Sequence, residues 1–102
     1  MRVDLLYFDG CPNWTETERR LADALVAVGA EATAYTLVAV TSVAEAERLR
    51  FRGSPTVLVD GQDPFAEPDA PVGLSCRVYR TPGGLRGAPT VEQLVAVLGQ
   101  GG

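Results

Sequence analysis

The first forty residues constrain the fold most. Residues 3–8 read V-D-L-L-Y-F, a short apolar run rich in β-branched and aromatic side chains, and the run stops at Asp9-Gly10. A run of this kind closed by a turn dipeptide predicts a buried strand. A helical stretch follows, with Trp14, Leu21, Leu25 and Val28 on one face and Gly29 as its stop. Pro12 suits the first helical position, where its fixed φ fits and its missing N–H is not needed, so Cys11 becomes the N-cap. Residues 33–40 (T-A-Y-T-L-V-A-V) then read as a second strand. Strand, helix and strand in this order predict parallel neighbours joined by a right-handed crossover.

The rest of the chain extends that unit. Thr41 or Ser42 caps a second helix over 44–51, with Glu45 completing a capping box, Leu49 and Val43 facing inward, and Gly53 ending it. Ser54-Pro55-Thr56 leads into a third strand at 57–59, closed by Asp60-Gly61. Residues 61–73 carry Pro64, Pro68 and Pro71 with acids between them and read as a loop, long enough in so small a domain to be functional or mobile. Residues 74–80 (L-S-C-R-V-Y-R) read as a fourth strand, followed by a turn at Pro82-Gly83-Gly84. Thr90 caps a last helix with Gln93 as capping-box partner and Leu94, Val97 and Leu98 as its apolar face, before a frayed tail at 99–102. The order β-α-β-α-β-β-α predicts an α/β domain over 1–98, a mixed four-stranded sheet with helices on both faces.

Composition removes several functions. With 102 residues, 46% hydrophobic and 22% charged, this is the balance of one soluble globular domain. The net charge is −4, and Arg19-Arg20 and Arg48, Arg50 and Arg52 are mixed with glutamates, so no basic face for nucleic acid is expected. The chain has no histidine, which removes imidazole acid–base catalysis, Ser-His-Asp and Cys-His pairs, and His metal ligands. The segment Asp60-Gly61-Gln62-Asp63-Pro64 has spaced acids but lacks the ordered ligands of a calcium loop, and Glu67 and Asp69 read as solvating charges; neither a metal site nor a cofactor is expected. No secretory or membrane-spanning stretch is evident, which predicts a cytoplasmic protein with no membrane partner. In that compartment two cysteines read as thiols rather than a structural disulfide.

The element order, the tetrapeptide Cys11-Pro12-Asn13-Trp14 opening the first helix, and Ser54-Pro55-Thr56 before the third strand together resemble the thioredoxin superfamily. The strings LLYFDGCPNW, FRGSPTVLVDG and GAPTVEQLVAVL are more narrowly similar to short bacterial thioredoxin-family proteins, some labelled alkylmercury-lyase-like. The resemblance implies that Cys11 is the first cysteine of a C-x-x-C motif and that Pro55 is a cis-proline packed beside it. It implies that the Ser54, Pro55 and Thr56 backbone positions a thiol substrate like an added strand. Trp14 stands where the second cysteine would be, so the motif alone supports only a monothiol route.

A thiolate at a helix N-terminus is stabilised by unpaired N–H groups and the helix dipole, which favours a reactive Cys11. Glu16 and Glu18 oppose this by their charge. Pro12, Asn13 and Trp14 are the nearest candidates to shape the thiol, with Trp14 on the core stripe of its helix. Arg52 either approaches Cys11 and favours its thiolate or stands solvated. Cys76 is a resolving thiol only if its Cα comes within about 7 Å of that of Cys11. The antiparallel return of the fourth strand places Arg80-Thr81 nearest the site instead, so Cys76 reads as a small core residue.

Three functions follow as expectations. One is a monothiol thiol–disulfide oxidoreductase, with Cys11 as nucleophile and an external thiol such as glutathione resolving its mixed disulfide with a partner protein. The second is a non-catalytic binding module, self-associated as a homodimer or bound to a protein through a sheet edge or the 61–73 loop. The third is handling of a soft metal such as mercury by thiolates.

Overall fold

A computed structural model describes residues 1–30, 32–67 and 71–100. Its elements are β1 (Val3–Tyr7), α1 (Asn13–Ala27), β2 (Tyr35–Ala39), α2 (Val43–Leu49), β3 (Thr56–Val59), β4 (Tyr79–Thr81), β5 (Gly84–Arg86) and α3 (Val91–Gln100). β1 lies at the centre of a mixed sheet ordered β2-β1-β3, parallel to β2 and antiparallel to β3.

Alternation along β1 sends its side chains to two separate cores. Val3 and Leu5 pack with Val57 against Leu21, Ala24 and Leu25 of α1 and Leu94 and Leu98 of α3. Leu6 packs on the opposite side with Val40, Ala46 of α2 and Phe51. Helices therefore cover both faces, as predicted. Leu21 and Leu94 are fully buried, so truncating either to alanine would cost about 2–5 kcal/mol.

The four-stranded sheet is corrected. The structure instead has a three-stranded sheet and a separate hairpin of β4 and β5. The hairpin closes at Pro82-Gly83, with Gly84 at φ 105 and Thr81 Oγ1 donating to Gly84 O at 2.6 Å. Of the predicted fourth strand only its last residues pair in this way, and the β-type pairing of residues 74–78 is limited, among the described residues, to one isolated parallel bridge, Ser54 to Cys76. The reason is the charge at its centre: Arg77 is drawn inward by its own partners, while Val78 is left 62% exposed.

The Thr90 capping box forms in full, and Ser42 caps its helix while Glu45 Oε1 reaches back to Thr41 N–H rather than to Ser42 N–H. Ser42 Oγ accepts from Glu45 N–H at 3.1 Å, and Thr90 Oγ1 accepts from Gln93 N–H at 3.0 Å while Gln93 Oε1 accepts from Thr90 N–H at 2.9 Å. α2 ends at Arg50, which adopts the left-handed conformation (φ 53) ahead of the expected stop at Gly53. Val43 is exposed, not inward. α3 continues through Gly99 and Gln100, where a frayed tail was expected. The remainder of that tail, and Pro68 and Asp69 of the loop, lie outside the described residues.

Candidate functional site

The site forms where β1 runs into α1. Cys11 N–H donates to Phe8 O at 2.9 Å, closing the turn after the strand. Pro12 is the N-cap and α1 begins at Asn13, one residue later than predicted, so Cys11 sits just outside the helix. Its side chain is fully buried. Asn13 Nδ2 donates toward Cys11 Sγ at 3.7 Å. Gly87 makes room for this amide: a Cβ at 87 would lie 2.7 Å from Asn13 Cγ.

Cys11 and Cys76 are joined by a disulfide, with their Cα atoms 5.7 Å apart. This corrects the expectation that both were thiols and that Cys76 was a core residue away from the site; Cys76 is in fact exposed. Residues 73–77 do not return antiparallel. They run alongside 51–54, with Gly73 N–H donating to Phe51 O at 3.0 Å, Ser54 N–H to Ser75 O at 2.8 Å, and Arg77 N–H to Ser54 O at 2.8 Å. The approach is close enough to require glycine at 53. Its φ is 112, and a Cβ there would meet Arg77 Cβ at 3.0 Å and Ser75 O at 3.1 Å.

The Ser54–Pro55 bond is cis. Ser54 O lies 3.6 Å from Cys11 Sγ, which places this turn against the sulfur. Both backbone polar groups of Ser54 are engaged by residues 75–77, so the edge expected to receive a substrate strand is filled by the chain itself. Thr56 is buried as well, its Oγ1 donating to Gly53 O at 2.7 Å and accepting from Arg77 Nη1 at 3.1 Å.

Arg77 and Asp63 are the residues the sequence reading missed. Arg77 pairs with Asp63 through Nη1 at 2.6 Å and Nη2 at 3.3 Å, and Nη2 also donates to Phe65 O at 2.8 Å. Both side chains are more than nine-tenths buried, so the pair anchors the loop to the segment carrying Cys76. The available signal was a charge in the middle of an apolar-looking run, L-S-C-R-V-Y-R, which a buried strand does not tolerate unpaired. Arg77 also lies over the Tyr79 ring, 4.6 Å from its centroid, and the Tyr79 hydroxyl donates to Pro55 O. Burial pushes the Tyr79 hydroxyl well above its ordinary range; the Arg77 charge pulls it down and Asp63 pushes it up.

The other candidates sort out by contact. Trp14 is half-buried and stacks on Tyr7, with ring centroids 4.2 Å apart, rather than joining Leu21 and Leu25 in the core. Glu16 pairs with Arg20, and Glu18 accepts from Tyr35 OH at 3.0 Å. Both acids are thus occupied along α1. Burial, and secondarily Glu18, raises the Tyr35 hydroxyl above its ordinary value. Arg52 lines a groove of about 500 Å³ together with Phe65, Ser75, Cys76 and Val78. Its Nε is buried with no partner among the described residues.

Among the described residues, no group of three or more Cys, Asp or Glu side chains is placed to hold a metal ion. No helix among the described residues is long and apolar enough to cross a membrane. Compared with protein-family models, curated proteins and solved structures, the chain matches none of them.

Proposed function

We propose that this protein exchanges thiols and disulfides through the Cys11–Cys76 couple, on a thioredoxin-like α/β scaffold. The observation that carries the reading is the placement of the pair. One sulfur is buried at the head of a 15-residue helix, and the other belongs to an exposed residue on an open groove. A helix N-terminus and the Asn13 amide both favour a thiolate at Cys11, which makes it a good leaving group when the bond is attacked. The cis-proline turn beside Cys11 and the strand-helix-strand unit support the scaffold reading.

The second cysteine allows a two-thiol cycle in place of a monothiol one. Two thiols of a partner protein, or two molecules of a small thiol such as glutathione, bring two electrons. One thiolate forms a mixed disulfide with the couple, and the other displaces it as the partner's disulfide. Cys11 and Cys76 remain as a dithiol after taking up the two protons.

The test is reduction of the native protein in glutathione redox buffers, with acid trapping, alkylation and mass measurement. The expected result is a reversible two-electron equilibrium, reached much faster than global unfolding and lost in Cys11→Ser and Cys76→Ser. A disulfide that opens only at the unfolding rate would be a purely structural cross-link and would overturn the proposal.

A further inference from the structure

The geometry points to Cys76, and not Cys11, as the sulfur that meets the substrate, with Cys11 as the buried leaving and resolving thiol. The inference rests on the exchange function proposed above and assigns direction to it. Cys11 is fully buried, enclosed by the Ser54 turn and the Asn13 amide. The polar backbone beside it is occupied by the chain's own residues 75–77, so an incoming thiol has no free edge there to pair with. Cys76 is exposed and lines the groove, where Val78 and Phe65 offer apolar walls and Arg52 a cation whose buried Nε has no partner among the described residues. A thiolate or disulfide entering that groove reaches Cys76 first, and the Arg52 charge favours anionic thiols over neutral ones.

A substrate thiolate attacks Cys76 Sγ and forms the substrate–Cys76 bond. The Cys11–Cys76 bond breaks, and its electron pair leaves on Cys11 as a thiolate. A second substrate thiolate then attacks the sulfur bound to Cys76 and expels the Cys76 thiolate, which is protonated from water. In the oxidising direction the Cys76 thiolate attacks a substrate disulfide and expels one substrate thiolate. Cys11 then attacks Cys76 Sγ and expels the other. The positions fit the roles: accessibility governs the entry sulfur, and leaving-group stability governs the buried one.

The experiment is competitive alkylation of the reduced wild-type protein with limiting iodoacetamide, Cys11 and Cys76 being quantified on separate peptides. Cys76 is expected to be modified about tenfold faster or more, because reactivity follows access as well as thiolate fraction. As a second reading, Cys11→Ala incubated with oxidised glutathione should accumulate a mixed disulfide on Cys76, and Cys76→Ala should form little on Cys11. Equal labelling, or labelling of Cys11 first, overturns the assignment. The labelling order is read without turnover, so a Cys11-first order leaves the exchange function standing. Cys76-first labelling in a protein that fails the redox-buffer test removes that function and leaves the access order intact.

Discussion

Replacing Cys76 by alanine isolates the energetic effect of the cross-link. The residue is exposed, so the substitution opens no cavity in either core. The bond closes a sequence separation of 65 residues. In the chain-entropy picture, removing a loop of that size from the unfolded ensemble stabilises the fold by about 4 kcal/mol. For a domain whose whole stability is about 5–15 kcal/mol, this is a major share. Guanidinium unfolding of oxidised wild type and Cys76→Ala, followed by circular dichroism, should show the difference. The variant's m-value should also rise as its unfolded chain expands. Wild type held in excess reductant should lose about the same stability. By the thermodynamic cycle, the couple should then be about 90 mV more reducing in the native than in the unfolded chain. A loss below about 1 kcal/mol would refute the reasoning, since a formed cross-link of this length must restrain the unfolded chain by more.

Asp63→Asn should cost about 3–5 kcal/mol, because it leaves the Arg77 guanidinium buried without its counter-charge; chemical denaturation measures it, and a near-neutral result would mean the pair is solvated. Stability should also fall in alkali. The Tyr79 hydroxyl is raised above the ordinary value of 10.0, so the folded state keeps a proton that the unfolded state loses. Stability is therefore whole below about pH 10 and declines above it by about 1.4 kcal/mol per pH unit until the folded group ionises. Tyr79→Phe should flatten most of that slope in unfolding curves taken between pH 9 and about 12; an unchanged slope would show that Tyr79 is not the group responsible.

Local pattern made much of the fold legible. The apolar run at 3–8, the stop at Gly29 and the capping boxes at Ser42 and Thr90 are short-range signals, and each corresponds to an observed element. Cys11 at the head of a helix was legible for the same reason, whereas the cis bond at Pro55 was an implication of the family resemblance and not of local pattern. Trp14 misled, because helical spacing assigns a face but not the neighbour that covers it, and here that neighbour is Tyr7. The fourth strand misled because its apolar pattern hid the pull of Asp63 on Arg77 across the loop.

The sequence by itself determined an α/β chain with helices on both faces and one thiol at a helix start, because strand and helix periodicity and capping act within a few residues. Only the tertiary structure decided that Cys76 is that thiol's partner. The pairing depends on the direction in which residues 73–77 pass the Ser54 turn. That direction is set by long-range contacts, namely the buried Arg77–Asp63 pair, the close approach at Gly53 and the Tyr79 bond to Pro55. Local pattern at most flags one member, as the charge of Arg77 does in its apolar run, and never names the partner, because each contact joins residues far apart in the chain and its geometry exists only once the chain is folded.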